Sequence, residues 1–198
     1  FSFSLMSQIF YKDKPIIIAD NISDDKNIYN IKFKDFKLNS ALKELSNDNI
    51  SSLRIIAKDT QKAFKKLLKL MPNIIAAGGK VVNSKNEILF IYRNNKWDLP
   101  KGKAERNENI AETALREVKE ETGIKDISIT KPLQVTYHIF KKNKKYRLKI
   151  TYWFEMMSSN VNQLVPQLDE GITRAEWISP PEIEKIKTKC YANIRLLI

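Results

Sequence analysis

The segment from Gly102 to Ile124, GKAERNENIAETALREVKEETGI, constrains this chain more than any other stretch. Placed on a helix beginning near Asn109, Ile110, Ala111, Ala114, Leu115 and Val118 fall on one arc that must bury. Glu117, Glu120 and Glu121 then stand at i, i+3 and i+4, so their carboxylates project together from the edge of that arc. Like charges at this spacing repel, and more strongly as water is excluded, so something positive belongs among them. Three hard oxygen ligands with no histidine or thiolate nearby suit Mg2+ or Mn2+ and not Zn2+. Pro100 and Gly102 let the backbone approach the carboxylates closely, which makes the Gly102 carbonyl a further candidate ligand. Lys101 and Lys103 flank it with the positive charge that a polyphosphate requires. Arg116 projects between Glu112 and Glu120 and would orient the carboxylates by ion pairing, and Gly123 suits a left-handed C-cap. A solvated acidic face is the plain alternative, but it leaves the preceding basic glycine loop unexplained.

Around this segment the chain divides in two. All five glycines lie beyond residue 77. The first 72 residues read as a small α+β domain: strands at about 9–11 and 15–19, a β-like 31–36, a helix over 40–45, a strand at 53–57 and an amphipathic helix over 61–70 that Pro72 ends. No chemical motif stands in this domain. Residues 73–198 read as strands at 76–82 and 88–92, a short extended piece at 96–99, a polar loop at 101–107, the glutamate-bearing helix, strands near 127–129, 134–140, 148–156 and 175–178, and a C-terminal helix opened by Pro180 and Pro181. On that helix Ile183, Ile186, Cys190, Ile194 and Leu197 share one apolar stripe, so Cys190 reads as core.

Composition closes off other chemistries. Cys190 and His138 are the only cysteine and histidine in 198 residues, which excludes an intrachain disulfide, a multi-cysteine zinc site and any two-histidine mechanism. No window holds the roughly 18 apolar residues of a membrane span. The opening FSFSLMSQIF is too short and polar for a secretory signal, and Met6 is a candidate natural start, so a cytoplasmic location is expected. The net charge of +12 rests on 28 Lys and only 7 Arg. It leaves nucleic acid open as a partner without favouring it, because Lys lacks the planar fork that reads base edges. The densest cluster, Lys141, Lys142, Lys144, Lys145, Arg147 and Lys149, reads as a charged hairpin tip. His138, Trp97, Tyr137, Trp153 and Trp177 read as strand residues rather than catalysts or stacking groups.

The run Gly102, Glu108, Arg116-Glu117-Val118-Lys119-Glu120-Glu121-Thr122-Gly123-Ile124 has the spacing of the Nudix box at every defined position. Over about 74–186 the chain resembles the Nudix hydrolases. Through AAGGKVV, KWDLPKGK, TYHIF, TYWF and PQLDEGITRAEWISP, it resembles most their dinucleoside polyphosphate subgroup, notably the diadenosine hexaphosphate branch. The resemblance implies an α/β/α sandwich with a mixed sheet, and a site that cleaves a nucleoside polyphosphate or dinucleoside polyphosphate by water attack on phosphorus with Mg2+, or alternatively Mn2+. Carried over residue by residue, Glu117 and Glu121 would hold the metal. Glu120 would be the base or a further ligand, and Glu170, ahead of Asp169, is the other candidate base. Glu108 and Arg116 would brace the loop, while Arg93, Lys101 and Lys103 would meet phosphate. Removal of pyrophosphate from the 5′ end of RNA is the enzymatic alternative. A nucleotide-sensing regulator, whose N-terminal domain binds DNA or a partner, is the non-enzymatic one. A homodimer remains open.

Overall fold

The computed structural model describes residues 8–159 and 164–198, so Met6 and the rest of the opening segment lie outside the described residues. In chain order the first elements are β1 (Ile9–Tyr11), β2 (Lys14–Ala19), β3 (Ile28–Lys32), α1 (Leu38–Leu45), β4 (Ser52–Ile56) and α2 (Thr60–Leu68). There follow β5 (Asn73–Asn83), β6 (Ile88–Arg93), β7 (Lys96–Asp98), β8 (Lys101–Lys103), α3 (Ile110–Thr122), β9 (Ser128–Pro132), β10 (Thr136–Lys142) and β11 (Lys145–Ser158). The chain ends with β12 (Ile172–Ile178), α4 (Pro180–Ile186) and two short 3-10 turns. No helix among the described residues is long and apolar enough to cross a membrane.

Two compact units form: residues 1–74 with 136–149, and residues 75–135 with 150–198. In the first, strands run in the order β11, β10, β1, β2, β4, β3. β1 pairs in parallel with β10, with Phe10 opposite His138, so the hairpin 136–149 adds to the sheet of the N-terminal residues. β2, β4 and β3 are also parallel, as a β3–α1–β4 crossover requires. Leu42, Leu45, Leu53 and Ile55 are fully buried there, and each such side chain contributes about 1.5–3 kcal/mol of burial. The β-like 31–36 stretch is a strand only to Lys32. Its partner β4 ends opposite, at Ile56, and with no ladder left the chain tightens into a 3-10 turn at Phe33–Asp35.

The second unit is the α/β/α sandwich. Alternation along β6 sends Leu89 to one face, into a core with Ala114, Val118 and Met156, and Phe90 to the other, with Trp97, Trp153, Ile178 and Ile183. α3 therefore packs on one face and α4 on the opposite one. Asn109 and Glu112 form a reciprocal capping box at the start of α3. Two expectations are corrected. The polar stretch from Lys101 starts as a strand, β8, because Ala77 and Gly78 of β5 pair with Gly102 and Lys101. The C-terminal helix stops at Ile186: Lys187–Lys189 tighten into a 3-10 turn and Cys190 bridges to Trp97. Cys190, Ile194 and Leu197 still join the core of Ile183, so the stripe was apolar for packing and not for helical continuity. Burial pushes the Cys190 thiol up to about 11.

Candidate active site

The site grows from the junction of β8 with α3. Glu117 and Glu121 sit on the inner side of α3, 7% and 0% exposed. The backbone N–H of Lys101 donates to Glu121 Oε2 at 2.8 Å. A Cβ placed on Gly102 would land on the Glu117 carboxylate, so only glycine lets the β8 backbone lie there. At the far end of α3, Gly123 takes φ 72°, the left-handed cap that ends the helix.

Arg116 organises the outer side. Its Nε and Nη2 hold both oxygens of Glu108 at 2.7 and 2.9 Å, and its Nη1 donates to Glu117 Oε1 at 2.8 Å and to Glu120 Oε2 at 2.9 Å. Nη2 also reaches the Lys103 carbonyl at 3.1 Å. The Glu112 carboxylate, one of its expected neighbours, instead accepts from the Asn109 N–H at the helix cap. The hydrogen bonds from Arg116 hold the Glu108 carboxyl down at about 2, helped by the Glu105 N–H and the Thr113 hydroxyl. Glu108 thus ties the 103–108 loop to the helix through one guanidinium.

The inner carboxylates behave in the opposite way. Burial raises Glu117 above the ordinary carboxylate range against the pull of Arg116, and raises Glu121 to about 7 against Lys101 and Arg93. Glu121 Oε1 is buried and accepts no hydrogen bond. Its near cation is Arg93 Nη1 at 3.6 Å, an ionic contact too long for a hydrogen bond. A buried carboxylate oxygen without a donor is costly, and a bound cation would satisfy it.

Asp98, which carries no motif signal, proves central. It is 2% exposed, accepts from the Leu99 N–H at 2.9 Å, and pairs with Lys101 Nζ at 2.7 Å and Arg93 Nη2 at 3.4 Å. No pattern in the sequence around Asp98 marks it, since its partners are set by the β6–β7 pairing and the turn to Lys101. Lys101, 7% exposed, therefore spends its amino group on Asp98 and faces Glu121 with its backbone, while Lys103 is exposed. Burial works against the charge on Arg93, but the Asp98 and Glu121 carboxylates, with Glu170 behind them, outweigh it.

The loop after β11 is fastened to the end of α3: Val165 N–H donates to the Thr122 carbonyl at 2.8 Å and Gln167 N–H to that of Glu121 at 3.2 Å. Beyond it the negative charge of Glu170 bears on both Glu117 and Arg93. Among the described residues, no three His, Cys, Asp or Glu side chains are gathered as a metal cage. Arg116 donates to Glu117 and Glu120 while the Lys101 N–H donates to Glu121, so the three carboxylates share a helix edge but answer to different donors. The donors nevertheless suit a hard divalent cation: all are oxygens, one is buried and unpartnered, and a glycine leaves room beside them. Glu117, Glu121 and the Gly102 carbonyl are the groups that would hold it, with Glu120 at the margin.

Among solved structures, a MutT protein from Methanosarcina mazei Go1 aligns with 64% of this chain and 90% of its own, at 26% identity and a TM-score of 0.46. A C. elegans Ap4A hydrolase covers 63% and 91%, at 22% identity and 0.49. A Nudix hydrolase from Nitrosomonas europaea covers 63% and 84%, at 22% and 0.48. The assignment rests on the family model described as NUDIX domain, which matches residues 72–196 and so takes in β5 through the C-terminal turn with every box residue placed above. By that match the chain belongs to the Nudix family of pyrophosphohydrolases.

Proposed function

We propose that this chain is a Mg2+-dependent hydrolase of a nucleoside polyphosphate or dinucleoside polyphosphate, with the dinucleoside polyphosphates, diadenosine hexaphosphate among them, as the preferred class. Nudix hydrolases generally need a divalent metal such as Mg2+. The observation that carries the reading is the buried Oε1 of Glu121, which accepts no hydrogen bond and faces Arg93, beside a glycine whose bare backbone lies against the Glu117 carboxylate. A divalent cation there supplies a water of lowered pKa and neutralises charge on phosphate oxygens, and Mn2+ would serve the same donors.

The chain's own residues do the rest. Glu117 and Glu121 offer the oxygens. Arg93, held between Asp98 and Glu121, presents its remaining guanidinium edge to a phosphate, and the exposed Lys103 adds charge at the loop. Lys101 contributes its backbone N–H and, through Asp98, the placement of Arg93. Glu120 is the candidate proton acceptor, since its side chain is 49% exposed and a single hydrogen bond from Arg116 directs it. Glu170 is the second candidate, because its charge reaches the same space.

A panel of dinucleoside polyphosphates, nucleoside triphosphates, nucleotide sugars and triphosphorylated RNA, assayed with Mg2+ and with product analysis, tests the reading. Turnover of dinucleotides that stops on chelation is expected. Preference for triphosphorylated RNA would replace the substrate assignment with the 5′ pyrophosphohydrolase, and no turnover with any of them would remove the enzymatic reading of this site.

A further inference from the structure

The positive charge of this protein is almost entirely in one unit. Residues 1–74 with 136–149 carry 19 Lys and Arg against 8 Asp and Glu, whereas the other unit carries 16 against 15. A Lys-rich background would have spread the excess over both.

Within the first unit the fold concentrates that charge further. β1 and β10 are parallel neighbours, so both end at the same edge of the sheet. Each ends in a two-residue turn with both residues left-handed: Lys12 and Asp13 at φ 50° and 61°, Asn143 and Lys144 at φ 51° and 63°. Two turns about 130 residues apart in sequence thus share one edge, with Tyr11 opposite Ile139, so that Lys12 comes beside the start of the run Lys141, Lys142, Lys144 and Lys145, which extends further along the same edge. All five are exposed, and Asp13 is the one acid in the two turns.

Rings are interleaved with these cations. Tyr11 and Tyr146 meet edge to face at 5.8 Å, with Lys12 Nζ 5.7 Å from the Tyr11 ring and Lys141 Nζ 5.3 Å from the Tyr146 ring. Tyr137 meets Phe64 of α2, so alternation along β10 turns His138 and Phe140 to the other side of the strand. There the two rings are stacked at 6.4 Å and 28°, both half-buried, with Lys149 Nζ 5.9 Å from Phe140. Cation–π contacts at such a surface are weak, about 0.5–1 kcal/mol. A phosphate takes the ammonium readily, and a base can take the ring.

We propose that this edge of the first unit, the paired 12–13 and 143–144 turns with the His138–Phe140 strand face, binds single-stranded nucleic acid. Exposed lysines track the phosphates, and the rings stack on unpaired bases. None of the exposed large apolar side chains among the described residues lies in 136–149, so nothing here is built to enter a lipid layer. The proposal does not depend on which small nucleotide the hydrolase site prefers.

The test uses the full chain in EDTA, so that hydrolysis cannot intervene, with a fluorescein-labelled 12-nucleotide RNA of mixed sequence followed by anisotropy from 50 to 200 mM KCl. Micromolar binding is expected, falling with salt at a log–log slope near −2 or steeper, as about three phosphate contacts require. The double variant Lys142→Ser/Lys144→Ser should weaken binding roughly tenfold and flatten the slope by about 1.4, near 0.7 per contact. A control pair at the C-terminal end of α2, Lys66→Ser/Lys69→Ser, should leave it nearly unchanged. Phe140→Leu, checked for folding by thermal melting, should weaken RNA binding about fivefold or more without affecting inorganic polyphosphate. The exposed lysine pair keeps the test decisive if Phe140→Leu melts. Four results would each overturn the proposal: no binding at 50 mM salt, equal loss from the α2 pair, indifference to Phe140→Leu in a folded variant, or binding to phosphatidylserine vesicles but not to RNA.

Discussion

The second unit sets 16 cationic residues against 15 anionic ones and buries the decisive members, Asp98, Lys101, Glu117 and Glu121. The first unit sets 19 against 8 and leaves its turn lysines in water. The difference is physical. A charge removed from water needs a partner within a few ångströms, so a buried site must be close to neutral in its count. Exposed charges are screened over about 10 Å and can accumulate with one sign. The balanced unit therefore reads as one that orders chemistry on a small anion, and the unbalanced one as a surface that attracts a long anion.

The sharpest way to break the comparison is Glu120→Gln. If the acidic helix edge is the reacting centre, kcat should fall by about 10³, the range for a lost general base, while thermal melting is unchanged. An equally active variant would shift the role to Glu170. Gly102→Ala comes next. Its Cβ would displace the Glu117 carboxylate, and turnover should fall about 100-fold with Mg2+ affinity reduced in parallel, measured by titration calorimetry. Asp98→Ala tests whether the pairing of buried charge is as strict as argued. Lys101, buried and deprived of its partner, should cost about 3–5 kcal/mol in denaturant unfolding, whereas Lys142→Ser in the other unit should stay within about 0.5 kcal/mol.

The smallest effect concerns pH. Glu108 is held near 2 in the folded chain, below its ordinary 4.5, so its stabilising pairing with Arg116 is complete above pH 4.5 and is lost as pH falls through about 2. Unfolding titrations of Glu108→Gln should show a shallower loss of stability across that window than the parent. An unchanged slope would mean that the Arg116 pairing does not set the acid limit.

Particular residues show what could be read without coordinates. The helix of α3, its Asn109 start and its Gly123 end follow from local spacing, because side chains one turn apart must share a face whatever surrounds them. Of its expected apolar arc only Ala114 and Val118 are buried, Ile110, Ala111 and Leu115 are half-buried, and Thr113, Glu117, Glu121 and Thr122 are the other residues that α3 buries. The strand at Lys101–Lys103 was not legible, since three residues of β carry no periodicity and pair only because β5 passes beside them. Asp98 was equally hidden: its partners lie three residues ahead, five behind and across a ladder, and nothing in the string WDLPKG marks that acid for burial. The apolar stripe at 183–197 was real, yet it implied a continuous helix where the chain folds back to bridge Trp97.

By itself the sequence determined the glutamate-bearing helix, the shared edge of its three glutamates and the uneven placement of glycine, because these depend on spacing along the chain. The tertiary structure decided which of those carboxylates is buried without a donor, which lysine is committed to Asp98, and which two distant turns share an edge. Those outcomes depend on strand pairings between residues far apart in sequence, and no local pattern encodes them.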